Sequence, residues 1–115
     1  MKQPDDRRRL QHMLDHATEA LDMVRGRERN DLELDRQLAL ALVRLMEIVG
    51  EAAGRVTADV RARHDHIPWA DIVGLRNRLI HGYDSVDLDI LWDILVLDLP
   101  PLAEQLRKVL ADLEE

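Results

Sequence analysis

The stretch LALALVRLMEIVGEAAGRV, residues 38–56, decides the fold class. Its apolar positions Leu38, Ala41, Leu42, Leu45, Val49, Ala52 and Val56 follow the period of one helix face, not the strict alternation of a strand. Asp31 and Asp35 lie just ahead of it, and either can cap its N-terminus. Gly50 and Gly54 fall on another face, where the missing side chain lets a neighbouring helix come close. Thr57 is expected to break or bend the helix before a short arginine-rich segment that ends near His64.

Working outward, the same period recurs on both sides. Leu10, Met13, Leu14, Ala17, Leu21 and Val24 form one stripe, with Gly26 as its C-terminal stop and residues 27–31 as a loop. Pro68 suits the first turn of a third main helix, where Asp71 complements the helix dipole, and Gly82 is expected to end it. Asp87 then caps a last helix with Leu88, Trp92, Leu95, Leu99, Leu102, Leu106, Leu110 and Leu113 in register. That register crosses Pro100 and Pro101, which lack backbone donors and crowd the preceding turn, so a kink is expected there with helix on both sides. The expectation is an all-α, antiparallel bundle of four to five helices in a single domain, residues 1–115.

Composition agrees. There are 20 leucines and no phenylalanine, and the aromatics are Trp69, Tyr83 and Trp92 alone. Leucine favours helices, and the strand-favouring aromatics are nearly missing. A chain of 115 residues can bury somewhat under ~70% of the surface its unfolded form exposes, enough for one core. It has no cysteine, which excludes disulfides, thiol nucleophiles and thiolate metal sites. No apolar run approaches the ~18 residues of a membrane span, and the start lacks a signal peptide's apolar stretch. The expected setting is the cytoplasm, with no membrane partner.

The net charge of −7 argues against a general electrostatic grip on nucleic acid. Between residues 55 and 81, however, Arg55, Arg61, Arg63, Arg76 and Arg78 outnumber Asp59, Asp65 and Asp71. The basic stretch overlaps the one segment with suggestive chemistry, PWADIVGLRNRLIHGYDSVD, residues 68–87. On a helical wheel of ~100° per residue, Trp69, Ile72, Val73, Leu79 and Ile80 form an apolar stripe with Arg76 near its centre. A cation there needs a partner or a hydrated cleft. From the residues alone, Arg76 pairs with a buried carboxylate such as Glu47 or Glu51, and His81 caps a helix end. The chemical alternative is a phosphate site.

A resemblance weighs between them. Arg76, Asn77-Arg78-Leu79-Ile80, His81, Gly82 and Tyr83 resemble the HEPN motif: arginine, a polar residue, three more, histidine, any residue, tyrosine. The flanking words IPW, GLRNRLIHGY, VDLDILWD and LPPL, with EIVGEAAGRV upstream, resemble the HepT-like group of that family from about Arg7 to Leu110. The resemblance implies a helical bundle that dimerises with the motifs of both subunits facing one cleft. It implies endoribonuclease activity without metal or other cofactor, as a toxin, through Arg76 and His81. It further implies an antitoxin partner, a minimal nucleotidyltransferase that neutralises the toxin, in characterised systems by adding AMP to the motif tyrosine, here Tyr83. Asn77, Arg78 and Tyr83 are the expected RNA-binding or supporting residues. A non-catalytic HEPN module that binds nucleotide or its partner is the alternative.

The physical chemistry suits the implied roles. Histidine serves as acid or base near neutrality, and arginine offers phosphate a planar, permanently charged fork. On one intact helix Arg76 and His81 would lie ~140° apart, so a helix end near His81 and a site shared between two subunits are expected. Other signals are weaker. His12 and His16 have a chelating i, i+4 spacing but lie opposite Leu14 with no third ligand, so no metal site is expected. Trp69 and Trp92 are expected as core or dimer anchors.

Overall fold

The computed structural model describes residues 4–83 and 85–113. Helix α1 spans Pro4–Val24, and Gly26 follows at φ +76°, a conformation that glycine adopts without strain. A single turn, α2 (Asp31–Leu34), leads into α3 (Arg36–Arg55). Asp35 is the cap of α3, its Oδ1 accepting from Leu38 N at 3.0 Å. Asp31 instead closes the preceding loop, accepting from Glu28 N at 2.7 Å. Helix α3 ends before Thr57, as its sequence implies, and Arg61 of α4 (Ala58–Arg63) folds back over that end. It donates to the carbonyls of Val56 at 3.0 Å and Gly54 at 3.3 Å, satisfying groups that the last helical turn leaves open.

Helices α1 and α3 run antiparallel. Asp6, near the start of α1, accepts from Thr57 N at 2.9 Å and from Thr57 Oγ1 at 2.8 Å. At 1% exposure it is the buried charged residue among those described. Helix α8 (Leu99–Leu113) also packs on α1, and α3 receives the motif segment. The core runs through Leu10, Met13, Leu42, Met46, Leu79, Leu95 and Leu106, all at or near zero exposure. The fold is an all-α bundle.

Two expectations are corrected. The segment after Pro68 is not one helix ending at Gly82. It is α5 (Trp69–Val73) and α6 (Leu75–Leu79), abutting at Gly74, then β1 (Ile80–His81) and β2 (Ser85–Val86) in a small antiparallel hairpin. Gly82, at φ +80°, turns that hairpin instead of ending a helix. Gly74, at φ −85°, ψ 6°, shifts the helical phase, so the buried face is Trp69, Ile72, Leu75 and Leu79. Val73 is left exposed.

The irregularity in the last helix also lies earlier than expected. After α7 (Leu88–Asp93), residues Ile94–Asp98 form a π-helical turn, and the prolines sit in the first turn of α8. Leu99 N reaches back five residues to Ile94 O. The wider turn precedes the two residues that have no N–H to give, so the chain absorbs the lost ladder bonds before Pro100 rather than at it.

Candidate active site

The motif residues are held by α3 on one side and by the start of α7 on the other. Gly50 makes the first contact possible: a Cβ at this position would stand 2.8 Å from Ile72 O. Only a glycine lets α5 lie this close to α3. The approach sets Arg76 of α6 over Glu47 of α3, with Arg76 Nε 2.9 Å from Glu47 Oε2. Glu47 was one of the two partners that the sequence offered. The surroundings differ from the wheel, however: the Arg76 side chain is 68% exposed, not central to an apolar face, while Glu47 is 23% exposed. The bond is made by Nε of the guanidinium. Arg44 also faces Glu47, at 4.0 Å.

This pair lines an open groove of about 530 Å³ between α3 and the motif helices. Glu51 and Arg55, themselves paired at 3.4 Å, continue it along α3, with Gly50, Gly54 and Val73 as its uncharged wall. The sequence marked Gly50 and Gly54 as sites of close approach. Gly50 meets backbone, whereas a Cβ at Gly54 would only touch the Val73 methyls at 3.9 Å.

His81 sits past the helix, on β1 opposite Ser85. Its Nε2 lies 3.7 Å from Asp87 Oδ2, an ion pair when the ring is protonated. Asp87 has two tasks, since its other oxygen caps α7 by accepting from Ile90 N at 3.0 Å. Its own N–H is tied to Leu79 O at 2.8 Å, which fixes its backbone at the open end of the hairpin. Tyr83, at the hairpin turn, is 99% exposed. Asn77 is exposed on α6. Arg78 faces Asp98 of the π-helical turn at 3.9 Å. Arg76 and His81 do not bond to each other; Arg76 bonds to Glu47, and His81 lies near Asp87. The sequence reading found the two cations but missed Asp87 as the partner of His81, having assigned it to capping alone.

The remaining candidates are placed as follows. His12 is exposed and His16 half-buried, its Nδ1 2.6 Å from His12 O. Among the described residues no three His, Asp or Glu side chains gather in a way that could hold a metal ion. Trp69 is in the core, its Nε1 donating to His64 O at 3.0 Å, and Trp92 is partly buried against that core. No helix among the described residues is long and apolar enough to cross a membrane.

The chain is similar in sequence to several proteins named as ribonucleases. The protein named "Putative RNase TTE0752", from Caldanaerobacter subterraneus subsp. tengcongensis, is 34% identical over 101 residues, covering 88% of this chain and 90% of that one. "Probable ribonuclease HepT" from Thermococcus cleftensis is 33% identical over 102 residues, covering 83% and 93%. "Putative RNase MJ1380" from Methanocaldococcus jannaschii is 30% identical over 109 residues, covering 95% of this chain and all of that one. No solved structure matches the chain. The family model described as "Ribonuclease HepT-like" matches residues 13–109, a span that holds α3, the motif helices and the hairpin, and the chain belongs to the HepT-like ribonuclease family.

Proposed function

We propose that this protein is a metal-independent endoribonuclease acting as the toxin of a toxin–antitoxin pair, with Arg76 and His81 as its catalytic residues. One observation carries the reading: both motif cations face solvent, yet each lies beside a carboxylate, Arg76 bonded to Glu47 and His81 3.7 Å from Asp87. A purely structural arginine would be expected to spend its donors inside the protein. Arg76 bonds to Glu47 through Nε, and its side chain, 68% exposed, can meet a ligand.

The chemistry follows. The 2′-oxygen of RNA attacks the adjacent phosphorus as its proton passes to a base. A new O2′–P bond forms, the P–O5′ bond breaks, and the leaving 5′-oxygen takes a proton. His81 exchanges one of these protons. Arg76 stabilises the charge that gathers on the phosphorane oxygens, a contribution worth about 10²–10³ in rate when a single such donor is removed. Asn77 and Arg78 contact the flanking phosphate or ribose, and Tyr83 stacks on a base or bonds to phosphate.

A homodimer supplies the second copy of each residue at a shared cleft. Val96 and Leu97, exposed beside the Asp98 that faces Arg78, offer that copy an apolar surface near the motif. The antitoxin is a minimal nucleotidyltransferase, and the fully exposed Tyr83 hydroxyl is the acceptor for AMP. The added phosphodiester would bring negative charge and bulk into a cleft that must admit phosphate.

Expression in a growing host tests this reading. The wild type should arrest growth, and His81→Ala should not, although both accumulate folded. Co-expression with a nucleotidyltransferase encoded beside the gene should relieve the arrest and add the mass of AMP to wild type but not to Tyr83→Phe. Arrest by His81→Ala equal to wild type would remove His81 from the mechanism.

A further inference from the structure

We propose that a basic groove runs from Arg76 across α3 to α1 and binds the backbone of single-stranded RNA beyond the scissile bond; the choice of RNA rests on the ribonuclease reading above. A second open cavity, of about 310 Å³, lies between α1 and α3 and is lined by Arg9, His12, Arg44, Glu51 and Arg55 among others. It shares Arg44, Glu51 and Arg55 with the groove at Arg76, so the two cavities adjoin along α3. Four arginines, at 9, 44, 55 and 76, line them against two carboxylates, Glu47 and Glu51. On a chain of net charge −7, that excess is a local reversal of sign.

The pairing is incomplete. Glu47 is shared between Arg76 and Arg44, and the contact to Arg44 is long, at 4.0 Å. Arg55 and Glu51 are each about 60% exposed in their side chains (60% and 63%), a pair that water and a phosphate can part. Arg9 adds a further guanidinium to the lining, a permanent charge suited to phosphate. No Phe, Tyr or Trp is among the lining residues, where His12 supplies a ring. The arginines hold backbone, which gives salt-dependent, sequence-tolerant binding. A single strand fits the reaction, since in-line attack by a 2′-oxygen needs a backbone free to leave the A-form helix.

The test uses a 12-nucleotide 2′-O-methyl RNA of mixed sequence, which has no 2′-hydroxyl to attack. Its binding to the full-length protein is followed by fluorescence anisotropy across salt concentrations. Removing three phosphate contacts in Arg9→Ala/Arg44→Ala/Arg55→Ala should flatten the slope of log affinity against log salt by about 2, and the triple lysine variant should restore most of it. Should loss of Arg9 unfold the protein, Arg44→Ala/Arg55→Ala still removes two contacts and should flatten the slope by about 1.4. Unchanged slopes would overturn the groove, even if the wild type cleaves RNA. Displacement of the RNA by poly-glutamate of equal charge, as effective as by unlabelled RNA, would also overturn it and point to an acidic protein. Flattened slopes from a protein that cleaves no RNA would keep the groove as a nucleic-acid site and sink the ribonuclease reading instead.

Discussion

Arg76 shows how far a residue can be read from sequence and where the reading stops. That it needed a partner, and that Glu47 was a candidate, followed from the cost of a cation among apolar neighbours. Its exposure did not follow, because the wheel assumed an unbroken helix. Gly74 breaks the phase, Leu75 takes the place in the core that Val73 would have filled, and Arg76 moves to the rim. His81 is similar: the histidine was legible, but its place on a strand was not, since a two-residue hairpin has no periodicity to detect. The roles of the two carboxylates lead to a prediction at this scale. Glu47→Gln removes the charge that orients Arg76 but keeps the size of the side chain. Cleavage should fall about tenfold while thermal unfolding stays near that of wild type, a misplacement effect. Activity equal to wild type, assayed on the same RNA, would mean that Arg76 needs no orienting partner.

At the scale of elements, the long stripes were the dependable part. Leu38, Leu42, Leu45, Val49, Ala52 and Val56 of the opening stretch are all buried, and Asp35 and Asp87 cap α3 and α7 as their positions suggested. Short elements escaped because contacts between distant residues form them. The split of the motif helix depends on how α5 meets α3, and the π-helical turn depends on what two prolines cannot donate several residues later. The contact at Gly50 can be tested. Gly50→Ala would push a methyl group to 2.8 Å from Ile72 O, backbone that cannot swing aside. A loss of about 1–3 kcal/mol is expected in chemical denaturation, together with lower activity as α6 carries Arg76 away from Glu47. A variant as stable and active as wild type would show that the two helices separate without consequence.

For the whole molecule, the buried Asp6 ties the first turn of the chain to the end of α3, 51 residues away. Nothing in the sequence flagged it, as an aspartate near a helix N-terminus usually only meets the dipole. Asp6→Ala would leave Thr57 N and its hydroxyl without their acceptor at the α1–α3 junction. It should cost about 2–3 kcal/mol, read as a lower denaturant midpoint with the slope unchanged. A midpoint within error of wild type would show that water replaces the carboxylate there. The bundle this tie helps to close is what carries the two motif cations, each beside a carboxylate. The most direct test of their purpose is cleavage of total cellular RNA by the purified, unmodified protein in EDTA, wild type beside His81→Ala. Cleavage by the wild type alone is the predicted result. No cleavage by folded wild type, or equal cleavage by both, would contradict the account.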